Sequence, residues 1–291
     1  MPRRLTEAQV AAFGHDGFVA PITVMTAAEA RGFRDRLEAV ERERGPMHYV
    51  VKPHLVMTAA DELAHWPPLL DAVEDLLGPD IMVWDAAFII KEPGAGAFVS
   101  WHQDLTYWGL DSVDRVVSVW LALSAATAAN GTMRMIPGSH RGRRDHRATA
   151  DPNNILSRGQ TVAVGHQDES RAVDIVLEPG QMSLHHGLVL HASGANRTAD
   201  RRIGFNMNLI APSVRQAEVA DDTAMLVRGR DRFGHFRAEP RPAIDFDPAG
   251  CAFQADIARR RGTSVNADPA GRLVNPASRA GLGTSGAGRL A

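Results

Sequence analysis

From residue 80 onward the chain breaks into short apolar runs cut by proline–glycine pairs, and this punctuation limits the fold more than any other feature. Residues 81–90 form a nearly continuous apolar run that ends at Glu92-Pro93-Gly94-Ala95-Gly96. Residues 98–105 follow, and in 116–124 Val117, Val119, Leu121 and Leu123 alternate with Ser118, Trp120 and Ala122. Residues 132–136 stop at Pro137-Gly138, residues 161–164 and 173–177 are shorter, and Pro179-Gly180 leads into 182–191. Residues 202–210 make the last clear strand. Runs of 4–10 residues with period-two patterning and Pro/Gly turns predict an all-β sandwich or jelly roll, not alternating helices and strands.

Helices are expected ahead of this region. Thr6 can cap a short one, and Thr26 can cap a longer one through residue 44, with Ala30, Phe33, Leu37 and Val40 on one stripe. Pro67 opens another that Gly78-Pro79 stops. Residues 47–58 read as an exposed segment, and 248–261 as a terminal helix. The expected organisation is one domain over 1–262. Residues 263–291, rich in Gly, Ala, Ser and Arg, are expected to be a flexible tail.

Composition narrows the function. A net charge of -2 gives no nucleic-acid footprint. No apolar run is long enough to span a bilayer, and no secretory signal is read at the start. The single cysteine, Cys251, cannot form an internal disulfide, which fits the cytoplasm. The expected partner is a small-molecule substrate, without nucleic acid or membrane. Oligomeric state is not legible.

The chemistry concentrates in Trp101-His102-Gln103-Asp104. On an extended chain, residues two apart share a face, so His102 and Asp104 converge. They supply two of the three ligands of the facial triad that holds non-haem Fe(II) with open positions. His191 is the expected third. Ser193 shares its face, and Arg202 opens the next strand, which a tight turn at 194–196 would bring back alongside. In that strand Ile203, Phe205 and Met207 take the apolar side, and Arg202, Gly204, Asn206 and Asn208 the other. A guanidinium inside a barrel needs an anionic partner, and a ligand carboxylate is the natural one.

These residues carry a resemblance. The segments Leu5-Thr6-Glu7 and Asp16-Gly17-Phe18-Val19, Lys91-Glu92-Pro93-Gly94 ahead of the His-Gln-Asp motif, and Trp120 are similar to the phytanoyl-CoA dioxygenase family. So are the Asn130 to His140 segment and the set His191, Ser193, Asn196 and Arg202. That family comprises Fe(II)- and 2-oxoglutarate-dependent oxygenases. The resemblance covers roughly residues 5–240. It implies a double-stranded β-helix, the cupin-like jelly roll, with flanking N- and C-terminal helices. It implies that His102, Asp104 and His191 hold Fe(II), and that Arg202 and Ser193 hold the far carboxylate of 2-oxoglutarate. Trp120 would pack on the cosubstrate, and Lys91 and Asp85 are further candidates to contact it. The reaction would consume O2, release succinate and CO2, and hydroxylate a C–H bond. Halogenating relatives lack the carboxylate that Asp104 provides. Candidate substrate-lining residues are His48, Lys52, His54, Tyr107, Trp108, His186 and Asn206, with histidine and lysine hinting at an anionic or polar metabolite. Two other classes stay open: a non-oxidative metal-dependent jelly-roll enzyme, and a catalytically silent binding protein on the same scaffold.

Overall fold

The computed structural model describes residues 2–149, 151–156, 159–261, 266–267 and 273–274. The chain begins with α1 (Glu7–Asp16), β1 (Phe18–Thr23), α2 (Ala27–Arg44), α3 (Thr58–Ala64) and α4 (Pro67–Leu77). The strands β2 (Ile81–Lys91), β3 (Val99–His102), β4 (Val116–Ala122), β5 (Met133–Met135), β6 (His146–Ala148) and β7 (Gln160–Val162) follow. Then come α5 (His166–Glu169), β8 (Val173–Asp174), β9 (Gln181–His186), β10 (His191–Ser193), β11 (Arg202–Ile210), β12 (Thr223–Arg228) and β13 (Arg237–Ala238). The last elements are α6 (Pro248–Arg261) and the short pair β14 (Asn266–Ala267) and β15 (Leu273–Val274). The rest of the expected tail lies outside the described residues.

Two sheets face each other. The larger has seven strands in the order β1-β9-β4-β11-β2-β12-β13, and the smaller has four in the order β3-β10-β5-β8. This is the double-stranded β-helix, flanked by helices as expected. The helices start where their caps dictate: Thr6 and Thr26 each close a capping box, with Gln9 and Glu29 reaching back. Pro67 sits in the first turn of α4, where its missing N–H costs nothing.

Strand periodicity separates the two faces of the larger sheet. Phe88, Ile90, Val119, Leu121, Met182, Leu184, Ile203, Phe205 and Met207 share one apolar cluster with Leu37, Leu63, Leu69 and Val73 of the helices. The opposite face, carrying Asp85, Ala87 and Ile89 of β2 and Asn206 and Asn208 of β11, lines a cavity between the sheets. Each buried Leu, Ile or Phe contributes about 1.5–3 kcal/mol, so the register that puts these apolar groups outward fixes the polar set inward.

Three expectations change. The run 182–191 is two strands in different sheets, because the chain turns after His186 and passes from one sheet to the other. Likewise β11 does not lie beside β10; it sits between β4 and β2 in the opposite sheet. The segment 47–58 is largely buried, not exposed. It is stapled to β2 by Tyr49 N–H to Phe88 O and Lys52 N–H to Ala86 O, each 2.9 Å. Tyr49 and Lys52 both adopt positive φ, 55° and 51°. Such conformations are uncommon for non-glycine residues and persist where surrounding contacts fix them. Strand β12 was not anticipated from the sequence.

Candidate active site

His102 is the last residue of β3, and its register partner is His191, the first residue of β10. The two imidazoles lie with ring centroids 4.0 Å apart. Asp104 is not on the strand. It opens a 3-10 turn, Asp104–Tyr107, which swings its carboxylate back so that Oδ1 is 3.1 Å from His102 Nε2 and 3.7 Å from His191 Nε2. One ligand atom from each of the three residues lies within 4.8 Å of the other two, a set that could hold a metal ion.

Both imidazoles are held from behind. His102 Nδ1 lies 2.9 Å from Ser100 O, and His191 Nδ1 lies 3.1 Å from Val189 O. A proton on Nδ1, donated to these carbonyls, leaves the Nε2 lone pairs aimed at the metal position. Burial, reinforced by His102, pushes the His191 pKa down to about 3, so this ring is neutral and able to ligate. Burial opposes ionisation of Asp104, but the imidazoles of His191, His102 and His185 outweigh it and hold its carboxyl well below the ordinary range. Two imidazoles and a carboxylate form the donor set of a non-haem iron facial triad.

The second half of the site is cationic. Arg202 begins β11 and faces Lys91, its register partner on β2. It is 1% exposed, and its guanidinium lies 5.0 Å from the centroid of the Trp120 ring. Nη1 donates to Gly131 O at 2.8 Å, while Nε and Nη2 are buried with no hydrogen-bond partner. An unpaired buried donor of a charged group costs several kcal/mol, on the order of 1–3 or more. Two of them on one guanidinium, beside a cavity, match the two oxygens of a ligand carboxylate. Burial pulls the Arg202 pKa down to about 10, which still leaves it charged at neutral pH.

Lys91 shares this end. Its Nζ donates to Ser193 Oγ at 2.6 Å and to the carbonyls of Ser193 and Gly194. Burial first, then Arg202, hold its pKa well below that of an ordinary lysine. Two glycines make room: a Cβ at Gly204 would overlap the Trp120 indole, and one at Gly131 would overlap Gly194 O. Asn196 pins the turn before β11 by donating to Lys91 O and Asp200 O, at 2.9 and 2.8 Å.

Triad and arginine open on the same cavity of about 290 Å³. His102, Asp104, His191, Ser193, Arg202, Trp120, Asp85, Tyr107, Trp108 and Asn206 all line it. His48, Lys52, His54 and His186, expected to line the substrate site, do not. Lys52 and His54 are buried elsewhere, both on Glu239, with His54 Nε2 2.9 Å from Oε2. His48 Nδ1 accepts from Ile90 N–H at 2.9 Å. The physical reason is parity. The positive-φ residues turn Tyr49 and Val51 inward and the basic residues away. On β9, Met182 and Leu184 belong to the outer core, so His185 faces the cavity and His186 does not. That alternation was readable in the sequence and singles out His185; nothing in the sequence announced the turn at Tyr49.

Residues 13–204 match the family described as Phytanoyl-CoA dioxygenase (PhyH). The chain belongs to the phytanoyl-CoA dioxygenase family. Among its curated relatives, a probable alpha-ketoglutarate-dependent hypophosphite dioxygenase of Stutzerimonas stutzeri is 29% identical over 62% of this chain and 64% of its own length. The peroxisomal phytanoyl-CoA dioxygenase of Homo sapiens is 32% identical over 45% of this chain and 40% of its own. The chain therefore spans about half the length of the curated relatives it matches. A solved structure titled non-heme monooxygenase, ThoJ apo, is 39% identical, covers 87% of this chain and 95% of its own, and superposes with a TM-score of 0.76. CytC3 with Fe(II) and alpha-ketoglutarate shares the fold, at 20% identity over 82% of this chain and 100% of its own, with a TM-score of 0.62.

Proposed function

We propose that the protein is an Fe(II)- and 2-oxoglutarate-dependent oxygenase that hydroxylates a C–H bond of a small molecule. The observation that carries this reading is the pair of unpartnered donors on buried Arg202, in the same cavity as the His102–Asp104–His191 triad. A metal enzyme without a keto-acid cosubstrate would need some other anion to satisfy such an arginine. The triad would hold iron, and Arg202 would take the far carboxylate of 2-oxoglutarate, with Ser193 and Lys91 beside it and Trp120 as a wall. When bound, iron and the keto acid supply the oxidising power, with O2 consumed and succinate and CO2 released. The chain's own part is to orient the ligands through Ser100 and Val189 carbonyls, to fix the cosubstrate's direction through Arg202, and to exclude water with Trp120, Tyr107 and Trp108. Asp104 fills the position that would otherwise be open to a halide, which supports hydroxylation as the outcome.

Succinate formation in air, with Fe(II) and 2-oxoglutarate supplied, tests the reading. Slow O2-dependent release is expected from the wild type, faster with a substrate, and none from His191→Ala. Equal release by both proteins would reject it. We further infer that residues 1–262 act as one oxygenase domain and that the lone Cys251 suits the reducing cytoplasm. Among the described residues no helix is long and apolar enough to cross a membrane.

A further inference from the structure

The two carboxylate oxygens of Asp104 face different partners. Oδ1 points at the ligand imidazoles, 3.1 Å from His102 Nε2 and 3.7 Å from His191 Nε2. Oδ2 lies 3.6 Å from Nε2 of His185, an imidazole outside the triad. His185 projects into the cavity from β9, because Met182 and Leu184 of the same strand take the outer core. The residue is 1% exposed, its ring centroid is 5.2 Å from that of His191, and neither ring nitrogen has a hydrogen-bond partner. A buried polar group left unpaired costs about 1–3 kcal/mol. An apolar side chain would fill the slot without that cost, so the ring is there for a polar partner. Backbone ties keep His185 and Asp104 in register. Gln103, on one side of Asp104, donates a side-chain N–H to Leu188 O at 2.7 Å, and Leu105, on the other, donates its backbone N–H to Gly187 O at 2.9 Å. Both acceptors belong to the turn that follows His185 and His186.

A carboxylate binds a divalent metal through one oxygen or through both. A facial triad works by leaving positions open on the metal, and a carboxylate bound through both oxygens would use up one of them. A donor on Oδ2 prevents this by occupying the second oxygen and turning Oδ1 to the metal. Partners of this kind orient the ligands of metal sites. A separation of 3.6 Å lies just outside the range of a formed bond, and hydrogen bonds in unloaded sites run long and tighten when ligands arrive. We propose that His185 is a positioning residue for the metal site: its Nε2–H donates to Asp104 Oδ2 and holds Asp104 to ligation through Oδ1 alone. The proton then sits on Nε2, the reverse of His102 and His191, whose Nδ1 atoms face the carbonyls of Ser100 and Val189. His185 acts through Asp104, and the inference rests on the reading of the triad as a divalent-metal site given above.

The test compares the full-length wild type with His185→Gln, His185→Asn and His185→Phe. Glutamine can bring an amide N–H to the Nε2 position, asparagine only to the Nδ1 position, and phenylalanine offers no donor. Anaerobic Fe(II) titration is expected to show affinity about 10–100-fold weaker in the Phe variant, the scale for losing a partner behind a metal ligand. Asn should match Phe, and Gln should recover most of the loss. Co(II) put in place of iron reads the coordination directly: its absorption should change in intensity in the Phe and Asn variants and stay close to wild type in Gln. A role in packing alone would leave that spectrum unchanged in all three. A second measurement needs no variant to fold. In the wild type loaded with Zn(II), heteronuclear NMR of the imidazole should place the His185 proton on Nε2. Equal Fe(II) affinity in wild type and Phe variant, a Gln variant no better than Asn, or a ring proton on Nδ1 would each overturn the proposal. A wild type that binds no Fe(II) defeats the triad reading instead, and the wild-type titration alone tells that failure apart.

Discussion

Two groups of buried basic side chains stand in this molecule, and they are built differently. Lys52 and His54 converge on Glu239, which also accepts from Thr223 Oγ at 2.6 Å, and Lys52 Nζ donates to Thr223 O at 3.0 Å. The Lys52, His54 and Glu239 side chains are all fully buried. Around Arg202, by contrast, one nitrogen finds a backbone carbonyl and two find nothing. A buried charge that the protein itself satisfies is architecture; here it ties the segment after α2 to β12 and β13. A buried charge left short of acceptors costs stability, and a site that tolerates this cost is waiting for a ligand.

The largest effect that would break this contrast comes from the closed cluster. Glu239→Ala strands Lys52 in a dry site and is expected to cost about 3–5 kcal/mol of stability, read by chemical unfolding. A loss under 1 kcal/mol would show that the cluster is not architectural. Arg202→Met should behave in the opposite way. Apo stability should hold or rise, because an unpaired charge is removed, while 2-oxoglutarate affinity falls by about 2–5 kcal/mol and metal affinity stays. Calorimetry with and without the keto acid separates the two terms; unfolding of the apo variant would erase the contrast.

Acid sharpens it next. Burial raises the Glu239 pKa, but Lys52 and His54 more than reverse this and hold it at about 2, below its ordinary value of 4.5. A depressed folded pKa contributes stability that is complete above pH 4.5 and is lost as pH falls toward 2. The contribution is on the order of 3 kcal/mol, and the acid limb of the unfolding curve should flatten in Glu239→Gln. The smallest effect is steric. Gly204→Ala pushes a methyl into the Trp120 indole. It is expected to cost about 1–3 kcal/mol, shared between stability and cosubstrate affinity, with a shift in tryptophan emission.

How much of this was legible in the sequence follows the same division. The alternation of Ile203, Phe205 and Met207 with Arg202, Gly204, Asn206 and Asn208 needs only period two, and it places the open site on the correct face of β11. Capping boxes at Thr6 and Thr26 are local, and so are the helix starts. The closed cluster was not legible, because its partners lie far apart in the chain: His54 and Glu239 are 185 positions apart. Without Glu239 in view, Lys52 and His54 looked like substrate contacts. The geometry of Asp104 was also out of reach, since a 3-10 turn, not strand alternation, brings its carboxylate to the histidines. The crossing of β10 and β11 into opposite sheets is a matter of topology that a turn at 194–196 does not encode.

The central claim is that the open site exists to hold a keto acid on a metal. The most direct measurement is an anaerobic titration of the apo protein with Fe(II) and then 2-oxoglutarate, followed by visible absorption, in the wild type and in Arg202→Met. The account predicts a weak charge-transfer band that saturates with 2-oxoglutarate in the wild type and needs far more of it in the variant. Iron that binds without any band, or a band with the same midpoint in both proteins, would contradict it.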